Sequence, residues 1–182
     1  MTEKNQLFLF ENYWIKIEEN IGSFYMTNFI TDFLKFSYKE NILSNNAYEK
    51  FKNYCKESQL SNEEILQQLS HYSSYYKLFL GRNDDKYSKL VIYCLNVYRQ
   101  LNQTTIYPFL FHVFDYYNNN VISIDVLENV FKFFLNYLLR RIVCNVPSNS
   151  LNGLFFNLYN RIFSNHKSLN NYYLSIIQFF LY

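Results

Sequence analysis

Two adjacent arginines, Arg140 and Arg141, are the residues whose type and position best suit binding chemistry. They lie near the end of a strongly apolar segment, and after a short turn a second segment begins at Ser150. A guanidinium group holds a carboxylate or phosphate through paired hydrogen bonds, but a cation at a helix end is also stabilised by that helix's own carbonyl groups, by about 0.3–1 kcal/mol. Because neighbouring helix positions point about 100° apart, at least one arginine must lie at the margin of the core if Leu138 and Ile142 face inward. A structural role and a binding role both stay open.

The other residues with catalytic potential are scattered along the chain. Metal sites and acid–base sites need converging partners, and the histidines stand alone, without a second His or a Cys at ligand spacing; they are His71, His112 and His166. Isolated glycines cannot form a phosphate-binding loop. The cysteines are odd in number and lack a C-x-x-C pair, so they indicate neither a disulfide nor a zinc site; they are Cys55, Cys94 and Cys144. We therefore predict no catalytic residue, no metal, no cofactor and no enzyme activity, and no small-molecule substrate is evident.

The composition favours one helical domain without a membrane anchor. A chain of 182 residues with 49% apolar content can bury a full core, and three Gly and two Pro favour long elements over tight turns. A net charge of +2 does not create the strong positive field of an obligate nucleic-acid binder. No apolar stretch is long enough to span a membrane, no signal-peptide pattern opens the chain, and the cysteines lack partners, so we predict a cytoplasmic protein.

Apolar residues spaced three and four apart predict an all-α array of about eight to nine helices. The first helix is expected to bury one face, formed by Leu7, Phe10, Trp14, Ile17 and Ile21. Tyr48 is expected to face inward on the third. Ser61 and Glu64 form a capping-box pattern that opens a further helix, and Gly81 stands where a left-handed C-terminal cap belongs. We predict a single domain, 1–182, with a division into 1–103 and 104–182 left open.

The long helix that carries the arginine pair is expected to run from Ile124 to about Cys144. Its predicted buried stripe is Leu127, Val130, Phe131, Phe134, Leu138 and Ile142. Pro147 is expected to end it, because proline cannot continue a helix. Two more helices are predicted, one from Ser148 or Ser150 and one from Ser168.

Six segments along the chain carry a resemblance to a known family. They are Tyr48-Glu-Lys-Phe-Lys, Ile65-Leu-Gln-Gln-Leu, Tyr107-Pro-Phe-Leu-Phe, Ile122-Ser-Ile-Asp-Val-Leu, Tyr137-Leu-Leu-Arg-Arg-Ile-Val and Leu151-Asn-Gly-Leu-Phe. In this order they resemble the helical region of the GmrSD-type restriction endonucleases, which are modification-dependent anti-phage DNases with a ParB-like N-terminal domain and an HNH C-terminal domain. The resemblance extends from about residue 10 to 165. Arg140, Arg141 and Asn152 match the family pattern, which gives them no established catalytic role.

The chain departs from that family by lacking both a GQQR-like segment and the His-Asn-His motif, so no catalytic residue is carried over. What the resemblance implies is a non-catalytic helical scaffold or connector that links a nucleotide-dependent ParB-like domain and a nuclease domain, flanking or separate. Such a scaffold predicts an apolar or charged docking surface near the arginine pair. The candidate contact residues are Arg140, Arg141, Asn152 and Arg161.

Two alternatives stay open beside the scaffold. The first is direct contact with DNA, for which the basic residues are Lys50, Lys52, Lys56, Arg140, Arg141, Arg161 and Lys167. Binding of that kind weakens steeply as salt is added. The second is a free-standing protein-interaction adaptor.

Overall fold

The computed structural model describes residues 3–82, 85–147, 150–163, 176, 177 and 180. Over these residues it contains helices and connecting turns and no strand, which confirms the predicted all-α class. The helices are α1 (Glu3–Leu9), α2 (Ile15–Ile21), α3 (Met26–Tyr38), α4 (Ala47–Glu57), α5 (Asn62–Phe79), α6 (Lys89–Gln100), α7 (Tyr107–Asn118), α8 (Ile124–Val143) and α9 (Leu151–Phe163). None of the described helices is long and apolar enough to cross a bilayer. The helix predicted from Ser168 starts outside the described residues.

A π-helical turn, Phe10–Trp14, joins α1 and α2 into one continuous helix. Its defining hydrogen bond runs from the Ile15 N–H to the Phe10 carbonyl oxygen, five residues back. Such a turn accommodates one extra residue, so side chains before it shift around the axis by about one position. The inward face is therefore continued by Leu9, which is buried, whereas Leu7 and Phe10 are exposed. The prediction that Leu7 and Phe10 face inward was wrong for this reason.

The chain divides into two compact units, 1–82 and 83–182. In the first unit α2 packs against α5, and α3 packs against α4 and α5. In the second unit α6 and α7 pack against α8, and α9 packs against α7. Because α6 packs on α8, it belongs to the second unit. The boundary between the units along the chain therefore lies at residues 82 and 83, and not at residues 103 and 104, the division that the sequence left open. That the whole chain forms one domain stays a prediction.

Helix ends follow the local chemistry of their caps. The capping box at Ser61 is confirmed, since its side chain accepts from the Glu64 N–H and Glu64 accepts from the Ser61 N–H. Gly81 has a φ of 84° and ends α5 as predicted. Helix α8 ends at Val143, in agreement with the predicted end at about Cys144, and the left-handed residue of its cap is Asn145, with φ 51°. Pro147 therefore follows the stop and does not cause it.

The core of the second unit contains both aromatic and aliphatic side chains, and α8 contributes a stripe to it. Five of the six residues predicted as the buried stripe of α8 are buried, namely Leu127, Val130, Phe131, Phe134 and Leu138. The sixth, Ile142, is exposed, and so is Tyr48 on α4, which was expected to face inward. The stripe thus ends one turn before the helix does.

Candidate interaction surface at the end of α8

Arg141 fastens the turn that follows α8. Its Nη2 donates to the Pro147 carbonyl oxygen at 2.6 Å and to the Ser150 hydroxyl at 3.0 Å, and its Nη1 donates to the Tyr137 hydroxyl at 3.2 Å. The guanidinium carbon also lies 5.7 Å from the centre of the Tyr137 ring, within the range of a cation–π contact. This side chain therefore ties the turn, and the approach to α9, to the last two turns of α8.

Arg140, one position earlier, is exposed, and among the described residues its side chain enters no hydrogen bond or ion pair. The rotation of about 100° between consecutive helix positions separates the two arginines into these different environments. Arg141 therefore contacts the turn after α8, whereas the Arg140 side chain is exposed to solvent.

Three apolar side chains accompany Arg140 at this end of the helix. Ile142 is 44% exposed, Val143 is 84% exposed and Val146 is 43% exposed. Single exposed apolar residues are ordinary, whereas clusters of them mark interaction sites. Around the helix axis Val143 lies about 60° from Arg140, whereas Ile142 lies about 160° from it, so these side chains surround the helix end and do not share one face. We call Arg140, Ile142, Val143 and Val146 the α8 end surface.

The backbone of the turn holds this surface in place. The Asn145 N–H donates to the Ile142 carbonyl oxygen at 3.0 Å, and the Val146 N–H donates to the Arg141 carbonyl oxygen at 2.8 Å. These two bonds form a Schellman motif, in which a left-handed residue reverses the chain at the helix end. Val146 is thereby turned back toward the last turn of α8.

The other candidate contact residues lie on α9. Asn152 is half-buried in its first turn, and no hydrogen bond of its side chain occurs among the described residues. Arg161 lies near the end of the same helix, and its side chain is outside the described part, as is the whole of Lys167. The structure therefore places Arg140 and Arg141 at one helix end and Asn152 at the start of the next helix.

The basic residues of α4 are partly neutralised. Lys50 forms an ion pair with Glu40 at 2.7 Å and lies 5.5 Å from the centre of the Tyr38 ring. Lys52 and Lys56 are exposed on the same helix. Of the basic set named from the sequence, Lys50 and Arg141 thus have their charges engaged within the protein.

The histidines of the described residues lie against aromatic rings. His71 lies 4.9 Å from Tyr72 and 4.8 Å from Tyr75, and His112 lies 4.1 Å from Tyr159, measured between ring centres. His166 is outside the described part of the chain. Over residues 3–82, 85–147 and 150–163, no three His, Cys, Asp or Glu side chains converge as a metal site requires.

A buried carboxyl group that no sequence motif indicated lies in the first unit. Asp32 accepts from the Lys35 ammonium and from the Tyr76 hydroxyl, both at 3.4 Å. Burial raises its pKa to about 6, against the opposing effect of Lys35 and of these hydrogen bonds. The sequence did carry a signal, because Asp32 falls between Phe29 and Phe33 on the apolar face of α3.

We expect Arg141→Ala and Arg140→Ala to differ in stability although they are neighbours. Arg141→Ala removes bonds to the Tyr137 and Ser150 hydroxyls and to the Pro147 carbonyl, and should lower the free energy of unfolding by about 1–3 kcal/mol. Arg140→Ala should change it by less than about 0.5 kcal/mol, as is usual at exposed positions. Urea unfolding followed by circular dichroism measures both. Equal effects of the two substitutions would contradict the assignment of the turn contact to Arg141.

No protein-family model matches the chain, and comparison with curated proteins and with solved structures finds no match. The resemblance to GmrSD-type restriction endonucleases therefore stays a prediction from the sequence. The role of the α8 end surface is inferred from its own contacts, exposure and charge.

Proposed function

We propose that the chain is a non-catalytic helical interaction module that docks a partner protein on the α8 end surface. The observation that carries this proposal is the exposure of Val143, about 60° from the exposed Arg140 around the helix axis, together with the exposure of Ile142 and Val146 at the same helix end. Protein interfaces combine an apolar centre with a polar rim, and arginine is enriched in them. The end of α8 has both parts within one helical turn and the cap that follows it.

The chemistry of the surface defines its partner as an apolar protein patch with a carboxylate placed opposite Arg140. A second copy of the chain is a poorer fit, because a two-fold contact through so small a patch brings the two Arg140 side chains together. The contacts of Arg141 also favour docking, since a turn that is already ordered loses little conformational entropy on binding.

The resemblance to GmrSD-type restriction endonucleases suggests who the partner is. In that proposal the partner is the nuclease domain or the ParB-like domain of an anti-phage restriction system, flanking or separate, and the chain connects the two in the cytoplasm. The support for this narrower proposal is the ordered series of sequence segments, among which Tyr137-Leu-Leu-Arg-Arg-Ile-Val contains the surface itself.

A photo-crosslinking amino acid placed at Val143 tests the docking proposal in cells that contain the native partner. The matched control carries the same crosslinker at Tyr93, an exposed residue of α6 in the same unit. We expect one dominant protein adduct from position 143 and none from position 93. Arg140→Glu should reduce that adduct about tenfold, the factor that a loss of 1.4 kcal/mol produces.

A charge exchange identifies the contact. Peptide mapping of the adduct should reveal an acidic residue in the partner, and reversing its charge should restore the adduct of the Arg140→Glu variant. Failure of this rescue, or equal adducts from positions 143 and 93, would reject the α8 end surface as the docking site.

DNA titration separates the docking module from a DNA-binding module. Fluorescence anisotropy with modified and unmodified duplexes, at low and moderate salt, should show no salt-sensitive binding. Tight binding at low salt that weakens steeply at moderate salt would instead favour direct DNA contact and overturn the proposal.

A further inference from the structure

The first unit contains a cavity that no motif in the sequence indicated. It has a volume of about 350 Å³ and lies between the π-helical turn, α4 and α5. Its floor consists of Leu9, Ile65 and Leu69, all buried. Half-buried side chains form its walls, namely Trp14, Phe51 and Cys55. Gln6, Phe10 and Asn62, which are exposed, also line it, so the site is a concave depression that is open to solvent.

The π-helical turn contributes directly to the shape of this cavity. By accommodating an extra residue between α1 and α2, it brings Leu9 onto the face that already carries Ile17 and Ile21. In a regular α-helix, Leu9 and Ile17 would lie about 80° apart around the axis, since eight steps of 100° amount to 800°. Turns of this kind occur often at functional sites, because they re-aim side chains within a helix.

The lining of the cavity carries no ionisable side chain other than the thiol of Cys55. Apart from the two amides, Gln6 and Asn62, the lining side chains are apolar or aromatic. An unpaired charge placed against such a lining would lose its hydration without compensation, so the chemistry disfavours a charged ligand. The volume lies at the lower end of the range of small-molecule pockets, about 300–1,000 Å³.

We propose that this cavity is a binding site for a neutral, largely apolar small molecule about the size of two or three rings, which inserts between Trp14, Phe51 and the floor of Leu9, Ile65 and Leu69. The molecule buries apolar surface on the leucine and isoleucine floor, and the aromatic walls offer ring contacts to it. The site is a property of the first unit and does not depend on docking at the α8 end surface.

The neutral fluorophore N-phenyl-1-naphthylamine is a suitable probe for the full chain. Trp14 is the single tryptophan of the protein and lines the cavity, so energy transfer from it to the bound probe reports binding in its neighbourhood. We expect saturable quenching of the Trp14 emission together with an increase in probe fluorescence. Leu66, which is half-buried in the lining, is the position at which the cavity can be filled.

Leu66→Phe should raise the Kd of the probe by at least about tenfold, a factor that corresponds to 1.4 kcal/mol. The matched control is Leu60→Phe, the same substitution at a half-buried leucine outside the lining. It should leave the Kd unchanged. Equal Kd values for Leu66→Phe, Leu60→Phe and the unsubstituted chain would overturn the site.

Cysteine alkylation gives a test that needs no substitution and therefore does not depend on a variant folding. Burial raises the pKa of the Cys55 thiol, whereas Cys144 is exposed and serves as an internal control. Saturating probe should slow the reaction of Cys55 with N-ethylmaleimide about tenfold and leave the rate at Cys144 unchanged. Equal slowing at both cysteines, or at neither, would reject the site.

The same cavity could instead receive a side chain from a second copy of the protein. In that case sedimentation would show association that increases with protein concentration and that Leu66→Phe abolishes, and the probe would cause no saturable quenching of the Trp14 emission. This result would also overturn the small-molecule proposal.

Discussion

Replacing Phe33 with alanine will lower the free energy of unfolding of the first unit by about 3–5 kcal/mol, the largest effect that we expect from a single substitution in this chain. Phe33 is fully buried on α3, with 0% of its surface exposed. Its ring centre lies 5.4 Å from that of Tyr54 on α4 and 5.7 Å from that of Tyr72 on α5. The substitution therefore removes a contact shared by three helices and leaves a cavity that they cannot easily close.

The same unit offers a matched control. Phe24 is 83% exposed. Phe24→Ala deletes the same atoms as Phe33→Ala, but at a position already in contact with solvent, and should change the free energy of unfolding by less than about 0.5 kcal/mol. Trp14 belongs to the same unit, and its fluorescence during urea unfolding reports the stability of that unit. If both variants lose equal stability, Phe33 is not part of a closely packed core.

Phe33→Ala also tests how the cavity of the first unit is supported. Tyr54, which packs on Phe33, is adjacent in sequence to Cys55 in the cavity wall. Under conditions where the variant is still folded, we expect Cys55 to react faster with N-ethylmaleimide than in the unsubstituted chain. The buried ring of Phe33 thus helps to hold α4, the helix that contributes Cys55 to the cavity wall.

Much of the fold could be predicted from the sequence because a period of 3.6 residues reports which helix face is buried. The stripe on α8 from Leu127 to Leu138 is an example, and the capping box at Ser61 is another, since both depend only on local spacing. Local patterns do not reveal where neighbouring helices stop. For this reason Ile142 continued the stripe in the sequence yet lies beyond the packed part of α8.

The sequence alone could not predict the π-helical turn or the different contacts of the two arginines, because both depend on three-dimensional structure. Nothing in the spacing of Leu7, Phe10 and Trp14 distinguishes a regular helix from one that accommodates an extra residue, so the sequence could not place Leu9 inside. Likewise, the sequence drew attention to the helix end that carries the arginine pair but not to the contacts of each arginine. Only the path of the turn through Pro147 shows that Arg141 donates to the turn, whereas Arg140 has no hydrogen bond or ion pair among the described residues.

Between acid and neutral pH, the unfolding free energy of Asp32→Asn is expected to rise by about 3 kcal/mol relative to that of the unsubstituted chain, because each pKa unit corresponds to 1.36 kcal/mol. The pKa of Asp32 rises from 3.8 to about 6 in the folded protein, chiefly through burial. A raised pKa means that the folded state holds the proton more tightly than the unfolded state. The contribution of Asp32 to the free energy of unfolding is therefore fully present below about pH 4 and is lost as the pH rises through 6. Asparagine cannot ionise, so the variant avoids this loss.

The measurement is the difference in unfolding free energy between Asp32→Asn and the unsubstituted chain, taken from urea titrations of Trp14 fluorescence between about pH 3.5 and 7.5. All other titrating groups are common to the two proteins, so their contributions largely cancel in this difference. We expect the difference to rise in favour of the variant mainly between pH 4 and 6, the interval between the two pKa values. A difference that stays constant over this interval would mean that Asp32 titrates with the same pKa in both states.

Tyr76→Phe separates burial from hydrogen bonding as causes of the shift. The Tyr76 hydroxyl donates to the Asp32 carboxylate at 3.4 Å and thereby lowers its pKa, in opposition to burial. Removing the hydroxyl leaves the carboxylate more costly to ionise, so the pH at which stability is lost should move upward. The interaction with Lys35 remains in this variant and limits the movement. If the loss moved to lower pH instead, the hydroxyl would be stabilising the protonated acid, and the charged form of Asp32 would owe its stability to Lys35 alone.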